Sequence, residues 1–290
     1  MPDSPSLLAR QIARLHRLPR TAPLIVTVWG DAVVPRGGSL WLGTLERIMA
    51  PFGVNPGGLR TAMSRLVEDG WLERSRQGRL SFYRLGPRGE EFAAADRHIY
   101  APEERPWDGR FRLVLGPADG ARAALLGAGW GTVGPDLLVG LSAASEGSEA
   151  ESGLRIELDS AAVQLRAVGR AADARALANR AWALEAVAAR YARFAAAFAP
   201  LDGAEPPPEE ALPLRILLIH EFRRVALRDP NLPAALLPEP WPGAEARALA
   251  ARLYRALLPA SEAWLAAEGR AEAGSLPPPG RALAGRFAAA

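Results

Sequence analysis

Asn55-Pro56-Gly57-Gly58-Leu59-Arg60-Thr61-Ala62-Met63-Ser64-Arg65-Leu66-Val67-Glu68-Asp69-Gly70 reads as one capped helix. Asn55 suits the N-cap, where its side-chain oxygen accepts from an unpaired backbone N–H. Pro56 takes the first helical position, where a missing N–H costs nothing. Leu59, Ala62, Met63, Leu66 and Val67 fall on one face, and Arg60, Thr61, Ser64 and Arg65 fall largely on the other. Asp69-Gly70 ends the helix, with glycine at the left-handed position that a helix C-terminus favours. Trp71-Leu72-Glu73-Arg74 then reads as a strand, Ser75 to Arg79 as a polar turn containing Gly78, and Leu80 to Leu85 as a returning strand. The pattern predicts a hairpin with an arginine-rich tip.

Working back from Asn55, Ser39 is placed to N-cap a helix running through Ala50, with Leu42, Leu45, Ile48 and Met49 at helical spacing. Leu24 to Trp29 is a buried run, helix or strand by periodicity alone. Working forward, Pro87 opens a helix to about Tyr100, and Pro102 and Pro106 mark a boundary. Strands are expected at Arg110–Leu115, Leu137–Leu141 and 154–158, with a short helix from Asp119 to Leu126 and a mobile loop at 142–152. An alanine-rich stretch from Ala171 to Ala199 reads as one long helix. Leu177, Leu184, Tyr191 and Phe198 recur on it every seven residues, a seam for another helix, within the chain or across a dimer. Helices follow at Leu214–Arg228 and Ala244–Glu268, and 270–290 reads as a disordered tail.

Composition narrows the chemistry. The 290 residues contain no cysteine and no lysine: all 35 basic residues are arginine. Thiolate metal sites, thiol nucleophiles, Walker-type lysines and Schiff bases are thereby excluded. His16, His98 and His220 are too scattered for a zinc site, so no metal, no cofactor and no catalytic residue is expected. No apolar run reaches membrane-spanning length and no secretory leader is legible, which points to a cytoplasmic protein with no membrane partner. Charge is uneven: 1–100 holds 14 arginines and 9 acids, whereas 101–290 holds 21 arginines and 23 acids. Within 55–88 there are 7 arginines and 3 acids, so the front is the part that meets a polyanion.

Two motif-like strings weaken on inspection. Gly129-Trp130-Gly131-Thr132-Val133-Gly134 has dinucleotide-loop spacing but follows a helix and precedes a strand, the reverse of what that loop needs, and reads as a turn. His220-Glu221-Phe222-Arg223-Arg224 begins like a zinc-protease helix but lacks the second histidine. The helix–helix–hairpin order of 39–86 is that of a winged helix-turn-helix. In that arrangement Arg60, Thr61, Ser64 and Arg65 meet base edges or phosphates, Arg74, Arg76 and Arg79 meet phosphates from the wing, and Arg36 touches backbone.

Leu24-Ile25-Val26-Thr27-Val28-Trp29-Gly30-Asp31, Pro35-Arg36-Gly37-Gly38-Ser39-Leu40-Trp41-Leu42-Gly43, Arg60 to Val67 with Gly70-Trp71-Leu72, and Tyr83-Arg84-Leu85 resemble the PaaX family of phenylacetate-degradation repressors. Leu218 to Arg224, Asp229-Pro230, Leu236-Leu237-Pro238 and Trp241-Pro242-Gly243 resemble its C-terminal region. The resemblance covers most of 20–268. It implies an α+β multidomain chain: a winged helix-turn-helix at 20–100, a ferredoxin-like domain at 107–170 and a helical effector and dimer domain at 171–268. It also implies a homodimer on double-stranded operator DNA, released by phenylacetyl-CoA or a related aryl-acyl-CoA. Without lysine, acyl-CoA phosphates would need arginine, and Arg223 and Arg224 are candidates. Trp182, His220, Trp241 and Tyr254 complete the candidate effector set. Two alternatives stand beside a non-enzymatic regulator. One is a metal-dependent nuclease using Asp108 and Asp119 of the middle domain; the other is a protein-interaction scaffold.

Overall fold

The computed structural model describes residues 5–15, 19–143 and 163–288. His16, the strand expected at 154–158 and all but the first two residues of the loop expected at 142–152 lie outside that range. The chain forms two compact units, one from Met1–Ala101, Ala192–Leu227 and Gly243–Ala290, the other from Pro102–Tyr191 and Arg228–Pro242.

In the first unit, helix α1 (Leu7–Ala13) is followed by α2 (Thr21–Val28), so the buried run around Leu24 is helical. That helix widens into a π-helical turn, Trp29–Val33, and closes as a 3-10 turn at Val34–Arg36. Strand β1 (Leu40–Trp41) precedes α3 (Leu42–Met49). Ser39 does not cap α3. Leu40 and Trp41 pair with Tyr83 and Phe82, which keeps the chain extended past the position where Ser39 would start a helix. Helix α4 (Pro56–Glu68) is capped as expected: Asn55 Oδ1 accepts from the Gly58 N–H at 2.8 Å. Strands β2 (Leu72–Gln77) and β3 (Leu80–Leu85) make the hairpin, and β1 extends the antiparallel sheet in the order β1-β3-β2. Gln77 pairs with Leu80, so the polar turn tightens to Gly78-Arg79, with Gly78 at φ 60°. Two-residue hairpin loops require that left-handed backbone, which glycine adopts without strain. Helix α5 (Gly89–Tyr100) ends this segment.

The second unit opens with β4 (Arg110–Leu115), α6 (Asp119–Gly127), β5 (Gly131–Val133) and β6 (Leu137–Leu141). Strand β7 (Val163–Val168) and helix α7 (Ala171–Ala181) follow. The sheet is fully antiparallel in the order β5-β6-β4-β7. The glycine-rich string is the end of α6, then β5, then a turn, with Gly129 and Gly134 at positive φ. Gly131 is needed for contact: a Cβ there would lie 2.8 Å from the backbone of Ala181.

The long alanine-rich helix is two helices. Helix α8 (Leu184–Phe198) starts after Ala183, which sits at φ 50° and breaks the run. The heptad positions Leu184, Tyr191 and Phe198 are all buried within their own chain, at 0, 1 and 0% exposure.

Helices α9 (Pro208–Ala226) and α10 (Pro242–Glu268) complete the helical complement of the rear. Most of α9 and α10 belongs to the first unit rather than to a separate domain. Leu212, Ile216 and Leu265 join Leu24, Trp29, Leu45, Met63 and Leu72 in one apolar cluster. Burying a side chain of that size contributes about 1.5–3 kcal/mol, enough to bind the front and these rear helices into one core. The expected disordered tail is instead structured through 288. A hairpin of β8 (Arg270–Ala271) and β9 (Gly274–Ser275) leads to α11 (Arg281–Ala284). Ala271, Leu276, Leu283 and Phe287 are buried at 5, 4, 5 and 0% exposure, apolar anchors that composition alone did not reveal.

Candidate nucleic-acid interface

The apolar face of α4 is spent on the core: Leu59, Ala62, Met63 and Leu66 are buried. Helical geometry then forces Arg60, Thr61, Ser64 and Arg65 outward, and all four are exposed. Arg60 reaches Glu46 only at 3.8 Å and remains 67% exposed. The Thr61 hydroxyl donates to the Gly57 carbonyl at 3.1 Å, which keeps the side chain low against the helix. Arg65 makes no ion pair among the described residues.

The wing divides its arginines by role. Arg84 binds both its Nε and Nη2 to Glu73 Oε2, at 3.0 and 2.8 Å, and is neutralised there. Arg74 donates to Ser81 Oγ at 2.7 Å and lies over the Tyr83 ring. Arg76 and Arg79 are exposed and unpaired among the described residues. Five guanidinium groups on α4 and the wing therefore remain available to phosphate, four of them with no close partner.

Arg36 is a correction. It is 2% exposed, donates to the Pro277 carbonyl at 2.6 Å and pairs with Glu262 at 2.5 Å. The turn at Pro35-Arg36-Gly37, with Gly37 at φ 90°, directs the side chain inward, so it does not face DNA.

Behind Arg36 lies a buried charge network that the sequence reading missed. Asp31, 1% exposed, receives Tyr100 Oη at 2.8 Å and Tyr254 Oη at 3.0 Å. Arg215 Nε lies 2.8 Å from its Oδ2, and Arg286 Nη1 lies 3.1 Å from its Oδ1. Arg215 also binds Glu262 at 2.6 Å, and Arg286 also binds Asp96 at 2.5 Å. Three arginines and three carboxylates thus balance inside one unit. Burial pushes the Tyr254 hydroxyl above its usual range, and Asp31 adds to the shift. A charged residue amid the apolar runs around Asp31 and Arg215 was a usable signal; Arg286 lay in the segment taken for a tail.

The six candidate effector residues do not form one site. Tyr254 belongs to the network. Arg224 is held by Glu221, with both oxygens at 2.8 Å. Trp182 and Trp241 belong to the second unit, where Trp182 donates to the Gly129 carbonyl at 2.9 Å and Trp241 packs edge-on to Tyr191. His220 is buried, with its Nδ1 3.0 Å from Thr27 Oγ1, and Arg223 Nη1 meets the same hydroxyl at 3.0 Å. For the nuclease alternative, Asp108 is engaged with the Arg110 N–H and the Ser142 hydroxyl. Among the described residues no three His, Asp or Glu side chains gather as a metal site. No helix among them is long and apolar enough to cross a membrane.

Residues 20–89 match the PaaX-like protein family, and 182–267 match the PaaX-like protein C-terminal domain. Over 281 residues the chain is 34% identical to the transcriptional repressor PaaX of Escherichia coli (strain K12), covering 91% of this chain and 89% of that protein. This chain belongs to the PaaX family. A solved structure of an uncharacterized protein from Mycobacterium tuberculosis shares the fold at a TM-score of 0.52. It has 23% identity and covers 84% of this chain and 97% of that one. The first PaaX segment contains α4 and the wing, and the second contains α9 and most of α10.

His220 yields a pH prediction. Burial, then the charges of Arg223 and Arg224, push its pKa down from 6.5 to about 3, so its imidazole is neutral and makes no ion pair with Glu221. The unfolded chain binds a proton at this side chain below its ordinary value; the native chain does not until about 3. Stability is therefore lost as pH falls through that window, by up to about 1.4 kcal/mol per pH unit from this group. His220→Gln removes the contribution. Its melting temperature is expected to fall less steeply than wild type between about pH 6 and pH 4. Parallel profiles in a thermal melt series would contradict the assignment.

Proposed function

We propose that this protein is a transcriptional repressor that binds double-stranded operator DNA through α4 and the β2–β3 wing. The observation that carries the reading is the set of exposed arginines on α4 and at the wing tip, on a polar helix face left free by the core. The relative's name, transcriptional repressor, supports the same reading. The first unit is read as holding a winged helix-turn-helix, supported by the order α3, α4, β2, β3 with β1 closing the sheet. The middle of the chain is read as ferredoxin-like, supported by the antiparallel strand order β5-β6-β4-β7 around α6.

On this reading α4 enters the major groove and Arg76 and Arg79 flank it on phosphate. The protein is a cytoplasmic homodimer without enzymatic activity or resident cofactor. Its targets are aromatic-acid (phenylacetate) catabolic genes, and an aryl-acyl-CoA such as phenylacetyl-CoA releases it. Release requires that the ligand bind the DNA-free form more tightly than the bound form.

A gel-shift titration against the promoter of such genes tests the DNA reading. Wild type is expected to bind with an affinity that falls steeply with salt. Arg65→Ala is expected to weaken it by about ten-fold or more. Unchanged affinity in that variant would remove α4 from the interface.

A further inference from the structure

The first unit contains a cavity of about 190 Å³ bounded by α2, α5 and α9 and closed at one end by Trp71. Its walls are mostly apolar, with Val26, Phe92, Ile99, Ile219 and Leu227 among them. A cavity of about 150 Å³ lined by apolar side chains accepts benzene, whereas drug-sized ligands need about 300 Å³ or more. This space suits one aromatic ring with a short arm and excludes a nucleotide.

The charges on its walls are unequal. Asp31, Glu91 and Asp96 all border the cavity. Each already has a cation: Asp31 has Arg215 and Arg286, Asp96 has Arg286, and Glu91 has Arg88 at 2.6 and 2.9 Å. Arg223 also borders the cavity, and among the described residues no carboxylate pairs with it. Its hydrogen bonds run through Nη1 alone, to Thr27 Oγ1 at 3.0 Å and the Pro23 carbonyl at 3.4 Å. A guanidinium carries five N–H donors, so most of its capacity is unused. Burial lowers its pKa, the sign of a cation whose hydration is not replaced by an anion.

We propose that this cavity binds a compound with one aromatic ring and a carboxyl or acyl group, the ring among Val26, Phe92 and Trp71 and the oxygen on Arg223. The proposal rests on the repressor reading and supplies its ligand site. Ligand chemistry follows from the walls: aromatic faces and edges receive the ring, and a planar cation receives one or two oxygens as charge-assisted hydrogen bonds. The site is also placed to act on DNA binding. Trp71 directly follows Gly70 at the end of α4 and precedes β2, so it joins the helix to the wing. Its ring meets Phe92 edge-on at 5.5 Å and carries the Arg88 guanidinium 3.9 Å from its centroid. A ring lodged against Trp71 and Phe92 changes the packing at that joint, and with it the angle at which wing and helix meet a duplex.

Calorimetric titration of the full-length chain with benzoate, phenylacetate and 3-phenylpropanoate, and separately with phenylacetyl-CoA, tests the proposal. At least one of the four is expected to bind at one site per chain. Free acids binding alone identify the carboxylate as the ligand; the thioester binding alone identifies the acyl group. Arg223→Met is expected to weaken that binding ten-fold or more, and Arg223→Lys to weaken it less. Ala95→Leu, which adds bulk at the cavity wall and leaves Arg223 in place, is expected to abolish it. Melting temperatures and DNA gel shifts without ligand are measured on every variant. A wild type that binds DNA but none of the four compounds overturns the site and leaves the repressor reading standing. Ligand binding unchanged in both folded Arg223→Met and Ala95→Leu places the ligand elsewhere and overturns it equally. Ligand binding at this cavity in a protein that never binds DNA supports the site and fails the repressor reading instead.

Discussion

Asp31→Ala is expected to cost about 3–5 kcal/mol of unfolding free energy, because it leaves Arg215 and Arg286 buried without their shared carboxylate. Arg215 is fully buried and its Nε lies 2.8 Å from Asp31. Arg286 is 3% exposed at the side chain and also touches the Asp31 carbonyl at 2.7 Å. Two tyrosine hydroxyls, from Tyr100 and Tyr254, lose their acceptor at the same time. Domains are commonly stable by only about 5–15 kcal/mol, so this single change removes a large fraction of the total. Urea unfolding followed by tryptophan emission measures it. A midpoint equal to wild type would show that the network contributes little. The double variant Asp31→Leu with Arg215→Met is expected to recover part of the loss. Replacing both partners of a buried pair with apolar groups is often close to neutral, whereas removing one is not.

The second large effect concerns the interface. Replacing Arg60, Arg65, Arg76 and Arg79 together with alanine is expected to lower operator affinity by about a thousand-fold, from about 1 kcal/mol at each contact. The slope of log affinity against log salt is expected to flatten by about 0.9 for each phosphate contact removed. The four residues are exposed, and only Arg60 has an ion-pair neighbour, at 3.8 Å, so the fold is expected to survive with a nearly unchanged melting temperature. Filter binding at several salt concentrations, with melts in parallel, separates loss of contact from loss of structure. A slope unchanged in the folded quadruple variant would place the DNA surface elsewhere.

Elements governed by neighbours in the chain were legible before any coordinates. Asn55, Pro56 and Gly70 bound α4 because capping and left-handed termination act within a few residues. Alternation and Gly78 located the hairpin for the same reason, and the 3.6-residue period alone assigned Arg60 and Arg65 to the outer face. Errors arose where a distant partner overrode a local preference. Ser39 is a good cap in isolation, but β1 is held extended by β3. The seven-residue seam from Leu177 to Phe198 suggested one rod, yet Ala183 turns the chain between α7 and α8.

Charge placement shows the same division. An arginine beside glycines reads as a phosphate contact, and nothing near Arg36 in sequence says that Glu262 awaits it 226 positions later. Arg286 and Phe287 sit in a segment whose composition resembles a linker, and their burial depends on Asp31, Asp96 and Tyr100. Periodicity and capping thus specify which surface of α4 meets solvent, since both arise from bonds between near neighbours. Which arginines are left unneutralised, on that surface and at the cavity wall, is set by where acids from remote segments come to rest. Pairing of that kind has no sequence period, because it is the close-packed core that brings its partners together.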